Sequence, residues 1–296
     1  MTKDIVRSGP IGLLRNKSRA YARLLKLRLS MLVAVSAVFG YAMAAGAQVD
    51  ALSLLWIGLG GLLVTGASNV LNQVFEKEYD KRMKRTAQRP MPLGELSDAE
   101  AVAYALVVAV AGIALLGYCF NLATALLGII GLLSYAFVYT PMKRISPFSV
   151  FVGAIPGGLP PLIGYVAFAG QIDTAGLILF AFQFFWQFPH FWAIAWRLDE
   201  DYQRAGFKML PSATGRSTYS ALLITLYTLS LIPLALFPWS AGMINAWAAG
   251  GLAVASLLFA VPAIRLQRSL DMKFAKQLMF ASFLYLPVIQ VIFLVG

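Results

Sequence analysis

The chain is 296 residues long, 59% of them hydrophobic and only 12% charged, with a mean hydropathy of +0.74. Soluble domains carry about 25% charged and roughly 45–50% apolar residues, so a water-soluble globular enzyme is excluded, as is disorder, which needs polar, aromatic-poor sequence. A single cysteine, Cys119, and a single histidine, His190, exclude an internal disulfide, a cysteine-cluster metal site and a multi-histidine metal centre. The net charge of +11 takes its meaning from where the charges lie.

A membrane-crossing helix needs about 20 mostly apolar residues. Nine stretches qualify: 29–47, 51–75, 101–119, 121–140, 148–168, 174–196, 218–238, 244–264 and 274–295. The fold class is therefore an all-α polytopic membrane protein. The apolar run 101–140 is divided at Tyr118-Cys119-Phe120-Asn121. Pro156, Gly157, Gly158, Pro160 and Pro161 predict a broken fifth helix, tolerated where neighbouring helices satisfy the freed backbone groups.

All 24 Lys and Arg residues fall in the segment 1–28 and in the second, fourth, sixth and eighth connections. The intervening connections and the C-terminus hold none. Basic loops mark the cytoplasmic side, which puts the N-terminus inside, the C-terminus outside and the span count at an odd number. Residues 1–28, with Lys3, Arg7, Arg15, Lys17, Arg19, Arg23, Lys26 and Arg28, read as a basic cytoplasmic segment ahead of one transmembrane domain, 29–296. That polar segment runs straight into a span, so no cleavable signal peptide is expected. A bacterial inner membrane is expected, with a mitochondrial inner membrane left open by the Arg-rich leader. Charge confined to loops beside lipid suits anionic headgroups, and no nucleic-acid recognition motif accompanies it.

The long inner connections also hold most of the acids; only Asp4, Asp271, Asp50 and Asp173 lie elsewhere, the last two on the outer side. In the second span Thr65, Asn69, Asn72, Glu76 and Asp80 share one helix face at spacings of four, three, four and four. The sixth repeats the pattern with Gln183, Gln187, His190, Arg197 and Asp201. Polar stripes in membrane helices face a bundle interior or cavity and mark functional sites, although amides also serve simply to join helices. Carboxylate and amide oxygens suit Mg²⁺, which bridges carboxylates to substrate phosphates. The cations Lys84, Arg85, Arg89, Lys143, Arg144 and Arg197 at the same level suit the remaining phosphate oxygens. A lipid diphosphate fits an acidic and basic mouth above an apolar bundle.

At these residues the sequence resembles the UbiA-type intramembrane prenyltransferases, in particular their haem-modifying branch, the protohaem farnesyltransferases. The resemblance is carried by Asn72-x3-Glu76-x3-Asp80 with Lys84-Arg85-Thr86 and Arg89-Pro90, then Tyr139-Thr140-Pro141 with Lys143-Arg144. It continues through Gly153-Ala154-x-Pro156 to Gly164, Pro189-His190-Phe191-Trp192, and Asp201-Tyr202 through Met209-Leu210-Pro211. Glu76 stands where the family has aspartate, and Lys26-Leu27-Arg28 where it has Lys-Pro-Arg. The second loop has Asp199, Glu200 and Asp201 in place of the Asp-x3-Asp of quinone-type relatives; Asp201, which matches the haem branch, is the preferred metal ligand and Asp199 the alternative.

The resemblance implies transfer of a farnesyl group from farnesyl diphosphate to a vinyl group of haem b, giving haem O and diphosphate. Asn72, Glu76, Asp80 and Asp201 would be catalytic and hold Mg²⁺, and haem b would be a substrate rather than a cofactor. Tyr135 and Tyr139 are candidates for shielding the allylic cation with their ring faces, or are interfacial anchors. His190 contacts the acceptor, as an iron ligand or otherwise, or it ties two helices together. A downstream haem-processing membrane protein is an expected partner beside membrane lipid, and nucleic acid is not. The rival readings are a prenyltransferase acting on an aromatic or quinone precursor and, from another class, a polytopic transporter.

Overall fold

A computed structural model describes residues 10–212 and 214–296, so Lys3, Asp4 and Arg7 of the basic leader lie outside the described residues. Nine of the described helices are long and apolar enough to cross a membrane. In chain order they are Leu27–Gln48, Ala51–Asp80, Asp98–Cys119, Leu122–Met142, Ser149–Ala169, Thr174–Arg197, Thr218–Ser240, Ala246–Ser269 and Met272–Val295, the first to ninth spans. The chain turns at Cys119 and Asn121, as the sequence predicts. The second span continues past residue 75 to Asp80, because its polar face still finds partners beyond the apolar run. The short turns at the end of the bundle opposite Glu76 and Asp80 are closed by side-chain caps. Asp50 accepts from Ser53 N–H at 2.9 Å, Asp173 from Gly176 N–H at 3.0 Å, and Asn121 from Thr124 N–H at 2.8 Å. The two acids on this side are thus helix caps, each worth about 1 kcal/mol.

The fifth span is not broken. It runs unbroken from Ser149 to Ala169 with Pro156, Pro160 and Pro161 inside it. Pro161 has no N–H for the carbonyl of Gly157 four residues earlier, and Gln183 Nε2 of the sixth span supplies that bond at 3.0 Å. Gln187 Nε2 makes a parallel bond to Ala154 O, also at 3.0 Å. The break falls in the seventh span, which is divided into Thr218–Leu229, Leu231–Leu234 and Phe237–Ser240 around Pro233 and Pro238.

The spans close into a ring. The first five pack round one hydrophobic core, and the sixth to ninth pack round another that also takes Phe39 of the first span and Val150 and Ala154 of the fifth. The fifth span packs against both the first and the sixth, and the ninth against the sixth, eighth and first. Ahead of them, the helix Pro10–Leu24 buries Ala20 and Leu24 in the first core. Arg23 pairs with Glu95 at 2.8 Å and Lys17 pairs with Glu100, which fastens the leader to the loop after the second span.

Without a hydrophobic force between helices in lipid, close backbone approach drives their association. The first and fifth spans touch in this way: a Cβ on Gly164 would lie 1.8 Å from Ala37 O, and one on Gly40 1.9 Å from Pro161 O. Gly164→Ala is therefore expected to lower stability by about 1–3 kcal/mol, the usual cost of overpacking. Gly250→Ala, where a Cβ meets nothing within 4 Å, is expected to be neutral or slightly stabilising. Thermal unfolding in detergent, followed by size-exclusion profile, compares the two; equal midpoints would contradict this packing.

Candidate active site

Along the second span Asn69, Asn72, Glu76 and Asp80 are all buried, Asp80 completely. Each acid meets a cation from another part of the chain. Lys143 Nζ lies 2.8 Å from Glu76 Oε1, and Arg89 Nη1 lies 2.7 Å from Asp80 Oδ2. Asp80 Oδ1 is buried with no hydrogen-bond partner among the described residues. Asn72 Nδ2 donates to Thr140 Oγ1 at 3.2 Å, while Lys26 Nζ donates to the side-chain oxygens of Asn69 at 3.3 Å and Asn72 at 3.4 Å.

Lys143 reaches Glu76 through a local departure from α-helix. The fourth span passes through a π-helical turn, Ser134–Tyr139, after which Thr140 N–H bonds back five residues to Tyr135 O. Such turns rotate the following side chains and recur at functional sites. Here the result is that Thr140 and Lys143 face the second span. The Lys143 ammonium sits 4.4 Å from the centre of the Tyr139 ring, and that ring is 5.2 Å from Tyr135. Gly153 of the fifth span lies against Tyr139, where a Cβ would come within 2.6 Å of the ring. This is a physical reason for the glycine in the Gly153-Ala154 segment.

The second acidic segment is arranged differently from the expected stripe. The sixth span ends at Arg197, Leu198 leaves helical geometry, and Asp199–Ala205 forms a separate short helix. Asp201 therefore does not continue the face of Gln183 and Gln187; its acids occupy a new first turn, where helix polarity favours negative charge. Of the three acids, Asp201 meets the first acidic loop: its Oδ1 accepts from Lys84 N–H at 3.4 Å, and it pairs with Arg204. Asp199 instead accepts from Gln203 at 2.9 Å and faces Arg216 at 3.9 Å, and burial raises its pKa against the pull of Arg216. Glu200 is exposed and 3.7 Å from Arg216.

Two predicted residues stand elsewhere. Arg197 Nη1 donates to Met279 Sδ of the ninth span at 3.1 Å. His190 Nδ1 is 2.7 Å from Ser282 Oγ on the same span, and its ring stacks on Trp186 at 4.6 Å. Both lie on the seam between the sixth and ninth spans. Arg144 donates to the Tyr79 hydroxyl at 2.5 Å with its guanidinium 4.7 Å from that ring, and Lys84 and Arg85 are exposed. Among the described residues no three His, Cys, Asp or Glu side chains form a ligand cluster. The carboxylates stand apart, each neutralised by its own cation.

Sequence reasoning missed the inner wall of this mouth. A cavity of about 290 Å³ is lined by Arg23, Lys26, Gln73, Arg85, Gln88, Arg89 and Pro90. Lys26 adopts a left-handed backbone with φ of 46° at the joint between the leader helix and the first span. Such strain costs of order 1–3 kcal/mol and persists where the surroundings over-determine it; Gln73 Nε2, donating to Leu24 O at 2.7 Å, is part of that support. Burial, then repulsion from Arg89 and Lys143, pushes the Lys26 ammonium down to about 7 against the attraction of Glu76. Burial also acts against charged Lys143, but Glu76 and Tyr139 outweigh it and raise its pKa above the ordinary lysine value. The one sequence signal for Lys26 was its place in the weakest family match, Lys26-Leu27-Arg28.

Among the described residues, nine helices long and apolar enough to cross a membrane gather paired acids and bases at one mouth. The chain belongs to the UbiA prenyltransferase family, which residues 33–284 match. It is 44% identical to a protoheme IX farnesyltransferase of Cytophaga hutchinsonii, over 93% of this chain and 96% of that one. It is 36% identical to a mitochondrial protoheme IX farnesyltransferase of Arabidopsis thaliana, over 94% of this chain and 64% of that one. The fold is shared with a solved digeranylgeranylglyceryl phosphate synthase, with a TM-score of 0.79 at 20% identity over 95% of this chain and 98% of that one. It is shared also with a UbiA homologue from Archaeoglobus fulgidus bound to GPP and Mg²⁺, with a TM-score of 0.69 at 14% identity over 93% and 99%.

The buried pairs can be tested through stability. Removing one partner of a buried ion pair typically costs about 3–5 kcal/mol, because the other charge is left uncompensated. Lys143→Met is expected to be destabilising on that scale, whereas the double variant Glu76→Gln/Lys143→Met recovers most of the loss. A thermal-unfolding double-mutant cycle checks this; additive costs would mean that the two side chains do not interact.

Proposed function

We propose that this chain is a Mg²⁺-dependent prenyltransferase that moves a farnesyl group from farnesyl diphosphate to a vinyl group of haem b. The products are haem O and diphosphate. The observation that carries the chemistry is Asp80, with one oxygen held by Arg89 and the other buried and unpartnered. A buried carboxylate oxygen without a protein partner is a hard donor that fits a divalent cation. Asn72, Glu76, Asp80 and Asp201 would hold Mg²⁺, with Asp199 less well placed. When bound, the ion supplies charge stabilisation to the departing diphosphate. Similarity over nearly the whole length to protoheme IX farnesyltransferases supports the choice of donor and acceptor.

The chain's own residues do the rest. Lys143, Arg89, Arg85, Lys84 and Arg144 take phosphate oxygens and stabilise the leaving group as the allylic carbon–oxygen bond breaks, its electron pair going to diphosphate. Tyr139 and Tyr135 present ring faces beside Lys143, suited to shielding the allylic cation, and the apolar bundle keeps water away. The vinyl π-bond then forms the new carbon–carbon bond. Water adds to the cation left beside the porphyrin and loses a proton, which gives the hydroxyethylfarnesyl side chain. His190 contacts the haem acceptor. Arg197, directed at Met279, takes no part in diphosphate binding in this reading. Residues 29–296 act as one domain, preceded by the basic segment 1–28, in a bacterial inner membrane with its mouth to the cytoplasm. The product leaves laterally, into lipid or to a haem-processing membrane protein.

Two experiments follow. Diphosphate release from farnesyl diphosphate is expected to need haem b and Mg²⁺, and Asp80→Asn or Asp201→Asn should abolish it while leaving the protein folded. Release with 4-hydroxybenzoate but not haem b would favour a quinone-type enzyme, and full activity in both variants would reject the acid assignment. For orientation, a reporter active only outside the cytoplasm should give signal when fused at Gly296 and none when inserted near Glu95. The reverse pattern would overturn the charge-based topology.

A further inference from the structure

The seam between the sixth and ninth spans is more ordered than a helix contact requires. Two links cross it within two helical turns, and a third bond within the ninth span orients the shared serine. Trp186 Nε1 donates to the backbone carbonyl of Ser282 at 3.0 Å, His190 Nδ1 meets Ser282 Oγ at 2.7 Å, and Ser282 Oγ lies 2.6 Å from Met279 O. The His190 ring is stacked on Trp186 with an interplanar angle of 20° and is met edge-on by Phe283 at 5.1 Å. Phe283 and its neighbours Phe280 and Leu284 are exposed on the apolar outer surface of the ninth span. The imidazole thus stands half-buried at a lateral, lipid-side edge of the bundle.

The protons on this network can be placed. A serine hydroxyl has one hydrogen. A carbonyl and a hydroxyl oxygen 2.6 Å apart are both acceptors unless that hydrogen lies between them, so Ser282 donates to Met279 O. Its oxygen is then only an acceptor toward His190, and the 2.7 Å contact requires a proton on Nδ1. In the neutral ring the other nitrogen, Nε2, carries a lone pair. It points away from Ser282 by the geometry of the ring and has no hydrogen-bond partner among the described residues.

We infer that Ser282 is a positioning residue: by accepting from Nδ1–H it fixes the tautomer and orientation of His190, so that Nε2 is presented as an axial ligand to the iron of the porphyrin acceptor. This rests on the reading that His190 contacts haem b, and names the residue that prepares it. An imidazole whose far N–H is engaged is a stronger and better-oriented metal ligand, and loss of such an outer partner typically costs 10–100-fold in metal affinity. The stacked Trp186 holds the ring plane, and its own bond to the Ser282 carbonyl survives any change of the Ser282 side chain.

The test uses the purified full-length protein in detergent or nanodiscs, titrated with haem b and, in parallel, with metal-free protoporphyrin IX. Ser282→Ala is expected to weaken haem b binding about tenfold or more, with no change toward the metal-free porphyrin. The iron–imidazole stretching band of the ferrous complex should fall in frequency. Ser282→Thr, which keeps the hydroxyl, should restore both affinity and band. Wild-type behaviour of Ser282→Ala, or an equal loss toward both porphyrins, would reduce Ser282 to a packing residue and overturn the proposal. His190→Ala keeps the two levels distinct. If it removes the iron–imidazole band while Ser282→Ala leaves the band unmoved, only the positioning role fails. An unaltered haem spectrum in His190→Ala removes the acceptor reading, and the positioning role with it.

Discussion

Charge neutralisation at the end of the second span is the constraint on which the rest of the site depends. Glu76 and Asp80 are buried one turn apart, where bare carboxylates carry a desolvation penalty of several kcal/mol each. The chain meets that penalty from two directions. Arg89 returns along the following loop to Asp80, and Lys143 arrives from the fourth span to Glu76. The π-helical turn, the Gly153 contact with Tyr139 and the close seating of the fifth span all serve to bring Lys143 there. In the proposed function these pairs belong to a diphosphate site: each carboxylate is held by a cation that is itself suited to a phosphate oxygen.

A second consequence is a division of labour around the ring of helices. The first five spans build the charged mouth together with the leader helix and the short helix that carries Asp201. The sixth to ninth build an aromatic-rich body, and the fifth and sixth spans are stitched by two glutamine side chains bonded to backbone carbonyls. His190 and Arg197 belong to a different seam from Gln183 and Gln187, although the four share one helix. The donor and the acceptor of a group transfer need not enter by the same route, and a charged mouth paired with an apolar lateral edge suits a diphosphate and a porphyrin respectively.

Much of this was legible in the sequence because it rests on period and composition. The nine spans, the turn before Asn121 and the Asn72, Glu76 and Asp80 face follow from apolar length and helical spacing. Other features depend on partners distant in the chain. Prolines in the fifth span looked like a break because nothing local reveals that Gln183 will satisfy the freed carbonyl of Gly157. The sixth-span stripe was carried too far, since spacing alone does not show the helix ending at Arg197. The π-turn and the left-handed Lys26 are single-residue departures without a compositional signature. Lys26, Arg23 and Gln73 line one cavity only because the leader helix packs against the loop after the second span. The double role of His190 was open for the same reason: its hydrogen-bond partner, Ser282, is 92 residues away.

The central claim, transfer of a farnesyl group to haem, is tested most directly by mass spectrometry of haem extracted after purified protein is incubated with haem b, farnesyl diphosphate and Mg²⁺. The account predicts a new species heavier than haem b by one farnesyl group and one hydroxyl, dependent on all three additions. Recovery of haem b unchanged, from protein that prenylates an aromatic acid under the same conditions, would contradict it.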